Sequence, residues 1–284
     1  MKKIELKANA KINPSLEILS KRKDGYHNLK LTYLSVDLYD VIKIESNKKC
    51  GIKIHGQIDI PLRKNICFKA AQSLLDMTGK NRGAIITLEK NIPIGGGLGG
   101  GSSDAAAVLT GLNRIWETNL KQEELEKLGG RLGSDVPFFF RGGFQLGEGW
   151  GNKLTKKENP YKDRKFILIK PEFSLSTPEV YSKYDTLNTK NGRKVRKEVF
   201  RNDLTRAALK LQPSLKEYFW FLNGREEVED WSMSGSGSAM FALMKEKIDI
   251  QKVVKKAKSF FPKANVYSIS SVEKGHTIIN HDEL

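Results

Sequence analysis

Between Gly95 and Gly101 six of seven residues are glycine, and Leu98 is the only side chain among them. A strand-like segment, Ala84 to Leu88, comes shortly before this run, and an alanine-rich stretch, SSDAAAVLTGLNRIW, follows it directly with the composition of a helix from Ser102 or Ser103 to about Trp116. A run wedged between a strand and a helix is not a free linker. Glycine permits positive φ values and close backbone approach, so successive N–H groups converge on phosphate oxygens, and the helix N-terminus adds its dipole. No Lys-Ser/Thr pair closes the loop as a Walker A motif requires, and the spacing is not that of a dinucleotide fingerprint. The segment Pro93-Ile94-Gly95-Gly96-Gly97-Leu98-Gly99-Gly100-Gly101-Ser102-Ser103 therefore reads as a phosphate cradle of another kind.

Composition fits such a role. The chain has 284 residues, 39% hydrophobic and 29% charged, and a net charge of +16, which favours anionic ligands without choosing among them. It is long enough for one large domain or two modest ones. No stretch approaches the ~18 consecutive apolar residues of a membrane-spanning helix, and the charged start MKKIELK lacks a signal-peptide core, so a cytoplasmic location is expected. Cys50 and Cys67 fall in no metal-ligand spacing. The most basic segment, Lys190 to Arg201, has six basic residues in twelve but no interleaved aromatics, so it reads as a solvated face rather than a nucleic-acid surface.

Periodicity gives an α+β chain. Ile4 to Ala8 and Lys11 to Ile18 are expected to form a strand pair, with further strands at Leu29 to Val36, Val41 to Glu45, Ile52 to His55 and Gly143 to Gly149. Asn65 is placed to cap a helix reaching about Met77, and a helix over Gln122 to Leu132 is expected to break near Gly129 and Gly130. The polar stretch from Asn152 to Arg164 marks a boundary, giving residues 1–155 and 160–284 as two domains. Beyond it come strands at Phe166 to Lys170, Ala239 to Met244 and Asn265 to Ile269, and helices at Pro178 to Tyr184, Leu204 to Leu211, Pro213 to Leu222 and Ile250 to Phe261.

Four further segments carry candidate chemistry. Asp135 sits directly before the apolar run Val136-Pro137-Phe138-Phe139-Phe140, where a carboxylate needs a partner and serves either as a helix cap or as a catalytic group. Lys11 and Asn13 share one face of a strand. Asp24-Gly25-Tyr26-His27 suits a surface hairpin or a planar ligand, and Ser234-Gly235-Ser236-Gly237-Ser238 a tight turn or a surface that a phosphate approaches. Asp104 reads as a first-turn acid favoured by the helix dipole.

Taken in order, AKIN, DGYH, PIGGGLGGGSSDAA, GSDVPFF and SGSGSAMF resemble the GHMP kinase superfamily, over residues 10 to about 244. Within it the early pair AKIN and DGYH is most similar to members acting on a cytidine-diphosphate alcohol. The resemblance implies a two-domain α+β fold with the active site in the cleft between an ATP-binding N-terminal domain and a substrate-binding C-terminal one. It implies ATP and Mg2+, small-molecule substrates, and neither membrane nor nucleic-acid partners; no metal ligand is assigned. By the same resemblance, Asp135 is the general base and Lys11 the cation that keeps it ionised. Asn13 touches the substrate near its reacting end, and Gly235 and Gly237 lie beside it. His27 meets the cytosine edge, with Tyr26 and Tyr181 on its two faces, and residues 93–103 hold the triphosphate while Asn65 meets the adenine. The chain departs from many members in carrying Ser236 where they have Thr, and the basic segment matches no family motif.

Overall fold

The computed structural model describes residues 2–47, 51–56, 60–79, 82–188 and 200–282. The chain starts with strands β1 (Lys3–Ile12), β2 (Ser15–Lys21), β3 (His27–Asn47) and β4 (Gly51–Gly56), then passes a short 3-10 turn to helix α1 (Ile66–Thr78) and strand β5 (Gly83–Glu89). Helices α2 (Gly100–Ile115), α3 (Gln122–Leu132) and α4 (Val136–Arg141) follow, then the hairpin of β6 (Phe144–Gly149) and β7 (Lys153–Lys156). The second half runs β8 (Lys165–Lys170), α5 (Thr177–Asn188), β9 (Arg201–Asn202), α6 (Thr205–Leu211), α7 (Leu215–Asn223), β10 (Val228–Met233), β11 (Met240–Met244), α8 (Ile250–Phe260), β12 (Asn265–Ser270) and β13 (His276–Asp282).

The segments expected as two strands at 29–36 and 41–45 are one strand, β3, of 21 residues, and the larger sheet is built on it. One edge of β3 carries β1 (Ile12 opposite Leu34) and then β2 (Leu16 opposite Leu31), and the other carries β5 and β6. The expected pairing of the first two strands with each other is therefore wrong. They run on in the same direction along β3, because Pro14 lacks the N–H a continuous ladder needs but does not reverse the chain. The break is stitched by side chains: Asn13 Nδ2 donates to the Thr32 carbonyl (2.9 Å), and the Ser15 amide donates to Thr32 Oγ1 (2.9 Å).

Helix α2 lies on this sheet. Gly111 makes the close approach possible, since a Cβ there would sit 2.6 Å from Ile44 Cδ1 and 3.0 Å from Leu6 Cδ1. The helix starts at Gly100, earlier than expected, because Gly99 takes the left-handed conformation (φ 71°) that ends the loop. Helix α3 runs unbroken through Gly129, which has no side chain because Val136 and Phe140 of α4 fill that space.

The smaller sheet, ordered β10-β11-β8-β12, is antiparallel throughout. Neither β10 nor β13 was anticipated. β13 returns to the larger sheet and pairs with β1, and β9 pairs there with β2. A buried cluster joins the two sheets: Ile12, Leu34 and Val36 from the larger meet Phe166, Leu168 and Phe241 from the smaller, and Leu98 of the glycine run is packed into it. Among the described residues no helix is long and apolar enough to cross a membrane. The basic segment falls outside the described residues except for Phe200 and Arg201, as does Cys50.

Replacing Gly111 by Val forces two methyl groups into the α2 contact with Ile44 and Leu6. We expect a loss of about 1–3 kcal/mol, read as a lowered midpoint in thermal or urea denaturation.

Candidate active site

The glycine run lines a cleft of about 330 Å³ together with Asn65, Cys67, Lys90 and Asp104. Its curvature is fixed by backbone. Gly97 has φ 74°, and a Cβ on it would lie 2.2 Å from the Ser234 carbonyl, so only glycine passes there. The Ser234–Ser238 turn is pressed against this loop, with Ala239 N donating to the Gly96 carbonyl (3.2 Å) and Ser234 Oγ to that of Gly97 (2.9 Å). On the other side, Lys11 N donates to the Leu98 carbonyl (2.9 Å). Asn65 caps α1 by accepting from Cys67 N (2.8 Å) and also lies on the cleft wall.

Lys11 is buried, 3% exposed, and its ammonium donates to Asn13 Oδ1 (2.5 Å) and stands 3.5 Å from Asp135 Oδ2. Burial pulls the ammonium's pKa down, and the Asp135 charge and hydrogen bond pull it back up. Asp135 occupies the N-cap position of α4, yet its side chain makes no cap bond. One oxygen faces Lys11 and the other accepts from Tyr33 Oη (3.2 Å). The side-chain cap is therefore not made, and the partner that a carboxylate beside this apolar run needs is Lys11. Tyr33 is fully buried, stacked on Phe138 at 4.9 Å, and burial and the Asp135 charge push its phenol well above the ordinary value. Gly99 brings the loop to this pair: a Cβ there would lie 3.0 Å from Lys11 Cγ. Gly235 (φ 55°) is near it too, its would-be Cβ 3.6 Å from Lys11 Nζ, while a Cβ on Gly237 would strike Met233 Sδ at 2.6 Å.

Below the loop lies a charge cluster that the sequence did not signal. Lys90 Nζ bridges Asp40 and Asp104 (2.5 Å to Asp104 Oδ2), and Asp40 Oδ1 accepts from the amides of Asn91 and Ile92 at 2.5 and 2.8 Å. Asp104 is buried in the body of α2 rather than in its first turn, so its reading as a first-turn acid favoured by the helix dipole is corrected. Burial raises its carboxyl to about 7, Lys90 opposes that and the Asp40 charge adds to it. Its Oδ1 and the Ser103 hydroxyl are buried with no hydrogen-bond partner among the described residues.

A third cluster lies at the β2–β3 hairpin. His27 Nε2 is 2.7 Å from Asp185 Oδ1, and its ring lies against Tyr181 at 5.0 Å. Tyr26 is 60% exposed and meets Trp150 edge to face at 5.8 Å. Helix α5 thus brings Tyr181 onto the His27 ring. Burial and the charge of Asp135 both raise the Tyr181 phenol, so this cluster and the Lys11–Asp135 pair share one electrostatic neighbourhood.

Two family models match the chain, GHMP kinases N terminal domain over residues 65–143 and GHMP kinases C terminal over 185–263. A 4-diphosphocytidyl-2-C-methyl-D-erythritol kinase of Clostridioides difficile is 37% identical over 292 residues, with 96% of each chain covered. The chain belongs to the GHMP kinases, in the 4-diphosphocytidyl-2-C-methyl-D-erythritol kinase family. A kinase of the same name from Clostridium tetani is 47% identical over 184 residues, covering 64% of this chain and 65% of that one. A crystal structure of 4-(cytidine 5'-diphospho)-2C-methyl-D-erythritol kinase superposes with a TM-score of 0.78 at 31% identity, covering 94% of this chain and 99% of that one. Homoserine kinase from Cytophaga hutchinsonii, at 18% identity and a TM-score of 0.74, shares the fold. The α+β expectation and the resemblance to GHMP kinases both hold.

Sequence reasoning did not find Tyr33, Asp40, Lys90, Trp150 or Asp185. The cluster below the loop yields a prediction. From an ordinary carboxyl value of 3.8, the folded chain holds the Asp104 proton up to about 7. The unfolded chain therefore binds fewer protons across that window, so stability falls as pH rises through it. Asp104→Asn removes this contribution, and its unfolding midpoint should decline less between pH 4 and 7 than that of the unaltered protein.

Proposed function

We propose that the chain transfers the γ-phosphoryl group of ATP to the 2-hydroxyl of 4-(cytidine 5'-diphospho)-2-C-methyl-D-erythritol, a step in non-mevalonate isoprenoid precursor synthesis. The observation that carries the reading is the Lys11–Asp135 pair at 3.5 Å beside the end of a glycine loop suited to phosphates. Phosphoryl transfer asks a protein chiefly for positioning and charge stabilisation, and these parts supply both. Asp135 takes the hydroxyl proton as that oxygen bonds to the γ-phosphorus. The bond from the γ-phosphorus to its bridging oxygen breaks, and ADP leaves. Lys11 sets a positive charge beside the carboxylate, and Tyr33 Oη orients it by hydrogen bonding. The loop from Pro93 to Ser103 holds the triphosphate through backbone N–H groups, with Asn65 at the adenine end.

Magnesium belongs to the same proposal. Asp104 and Ser102 both line the cleft, and the Asp104 carboxylate, whose buried Oδ1 is unpartnered among the described residues, and the Ser102 hydroxyl are hard oxygen donors that would fit it. Bound there, it supplies charge neutralisation on the phosphates. His27, Tyr26 and Tyr181 hold the cytosine, and Asn13, Gly235 and Gly237 shape the end where the hydroxyl reacts. Also proposed are a division into an ATP-binding part (1–155) and a substrate-binding part (160–284), a cytoplasmic location and the lack of a nucleic-acid partner.

The test is ADP release by the purified protein with Mg-ATP and the cytidine substrate, alongside mevalonate, homoserine and no acceptor. Turnover with the cytidine substrate alone is expected; turnover with mevalonate or homoserine instead, or with none of the three, would refute the reading. Asp135→Asn should lower kcat by roughly 100- to 10,000-fold while the protein stays folded. Tyr26→Ala should raise KM for the cytidine substrate about tenfold or more by removing a stacking face.

A further inference from the structure

Asp185 makes contacts that the reaction described above does not use. It lies on α5, one turn beyond Tyr181, so both side chains face the β2–β3 hairpin. Its Oδ1 meets His27 Nε2 at 2.7 Å, and its Oδ2 accepts from Lys21 Nζ at 2.6 Å, Lys21 being the cross-strand partner of His27. Burial pushes the Asp185 carboxyl up, but the hydrogen bonds from Lys21 and His27 outweigh it and hold the group below the usual carboxylate value. It is therefore ionised at neutral pH and can only accept hydrogen bonds. A neutral imidazole bonded to a carboxylate through Nε2 must carry its proton there, so Nδ1 presents a lone pair. The His27 side chain is 6% exposed, its ring is fixed by Tyr181 at 5.0 Å and Tyr184 at 6.2 Å, and no described residue supplies a partner for Nδ1.

We propose that Asp185 is a positioning residue that fixes the His27 tautomer, leaving Nδ1 as an acceptor and making the site choose a pyrimidine with an exocyclic amino group over one with a carbonyl in its place. The inference rests on the proposed function and adds the basis of base selection. An amino group donates to Nδ1. A carbonyl sets lone pair against lone pair and leaves both atoms unpaired in a buried place, the kind of mismatch that sites reject most strongly.

The test compares the cytidine substrate with its uridine counterpart in the unaltered protein, Asp185→Asn and Asp185→Glu. Asparagine can offer an N–H to Nε2, which moves the ring proton to Nδ1 and makes the carbonyl acceptable; glutamate keeps the carboxylate. We expect a preference in kcat/KM of roughly 100-fold or more for the cytidine substrate in the unaltered protein. In Asp185→Asn it should fall below about tenfold, mostly through KM, and Asp185→Glu should recover part of it. Calorimetric Kd values for CDP and UDP should follow the same order. An unchanged preference in Asp185→Asn, or an equal loss of both substrates, would overturn the proposal. Failure of the unaltered protein to turn over the cytidine substrate would instead overturn the proposed function, and this inference with it.

Discussion

An ammonium group taken out of water has to be matched by a charge or by good hydrogen bonds, and Lys11 is such a group. Its partners come from three places in the chain. Asn13 lies two residues along, Asp135 begins α4, and Tyr33 of β3 holds the second oxygen of Asp135 while its ring lies 5.7 Å from Lys11 Nζ. Because the Lys11 amide is also bonded to the Leu98 carbonyl, the residue that needs the carboxylate is tied to the loop suited to phosphates. One buried charge thus sets the register between β1, the glycine run and α4.

The same economy recurs beneath the loop, where a second lysine, Lys90, lies between two carboxylates. Asp40 comes from β3, Lys90 follows β5 and Asp104 comes from α2, so the cluster ties helix to sheet below the loop. The apolar cluster around Leu98 ties the loop to the smaller sheet, and the Ser234–Ser238 turn closes on it from there. Helix α5 then links that turn, through the Thr177–Ser236 hydroxyl contact at 2.7 Å, to His27 on the first hairpin.

What the sequence revealed and what it hid follow from the range of the forces involved. The glycine run, the Asn65 cap and most helices were legible because backbone conformation and amphipathic period are local. Lys11 and Asp135 were legible as motifs, although their pairing was not readable from either segment alone. Strand partners were not legible: Pro14 was visible, but not that β1 and β2 would share one edge of β3. Asp40, Lys90 and Asp185 look like ordinary surface charges in the sequence, and only the tertiary packing that buries Asp40 and Asp104 and brings Asp185 onto His27 gives them partners. Trp150 and Tyr33 lie in unremarkable strand and turn contexts, and their neighbours are distant in the chain.

The claim on which the account rests is that Lys11 and Asp135 act as one unit. A cycle of Lys11→Ala, Asp135→Asn and the double variant, each checked for folding and assayed for kcat with the cytidine substrate, tests it most directly. The account predicts strong non-additivity, the double variant being about as slow as the slower single one, as for residues that share one catalytic step. Losses that simply multiply would mean that the two side chains act independently, and would contradict it.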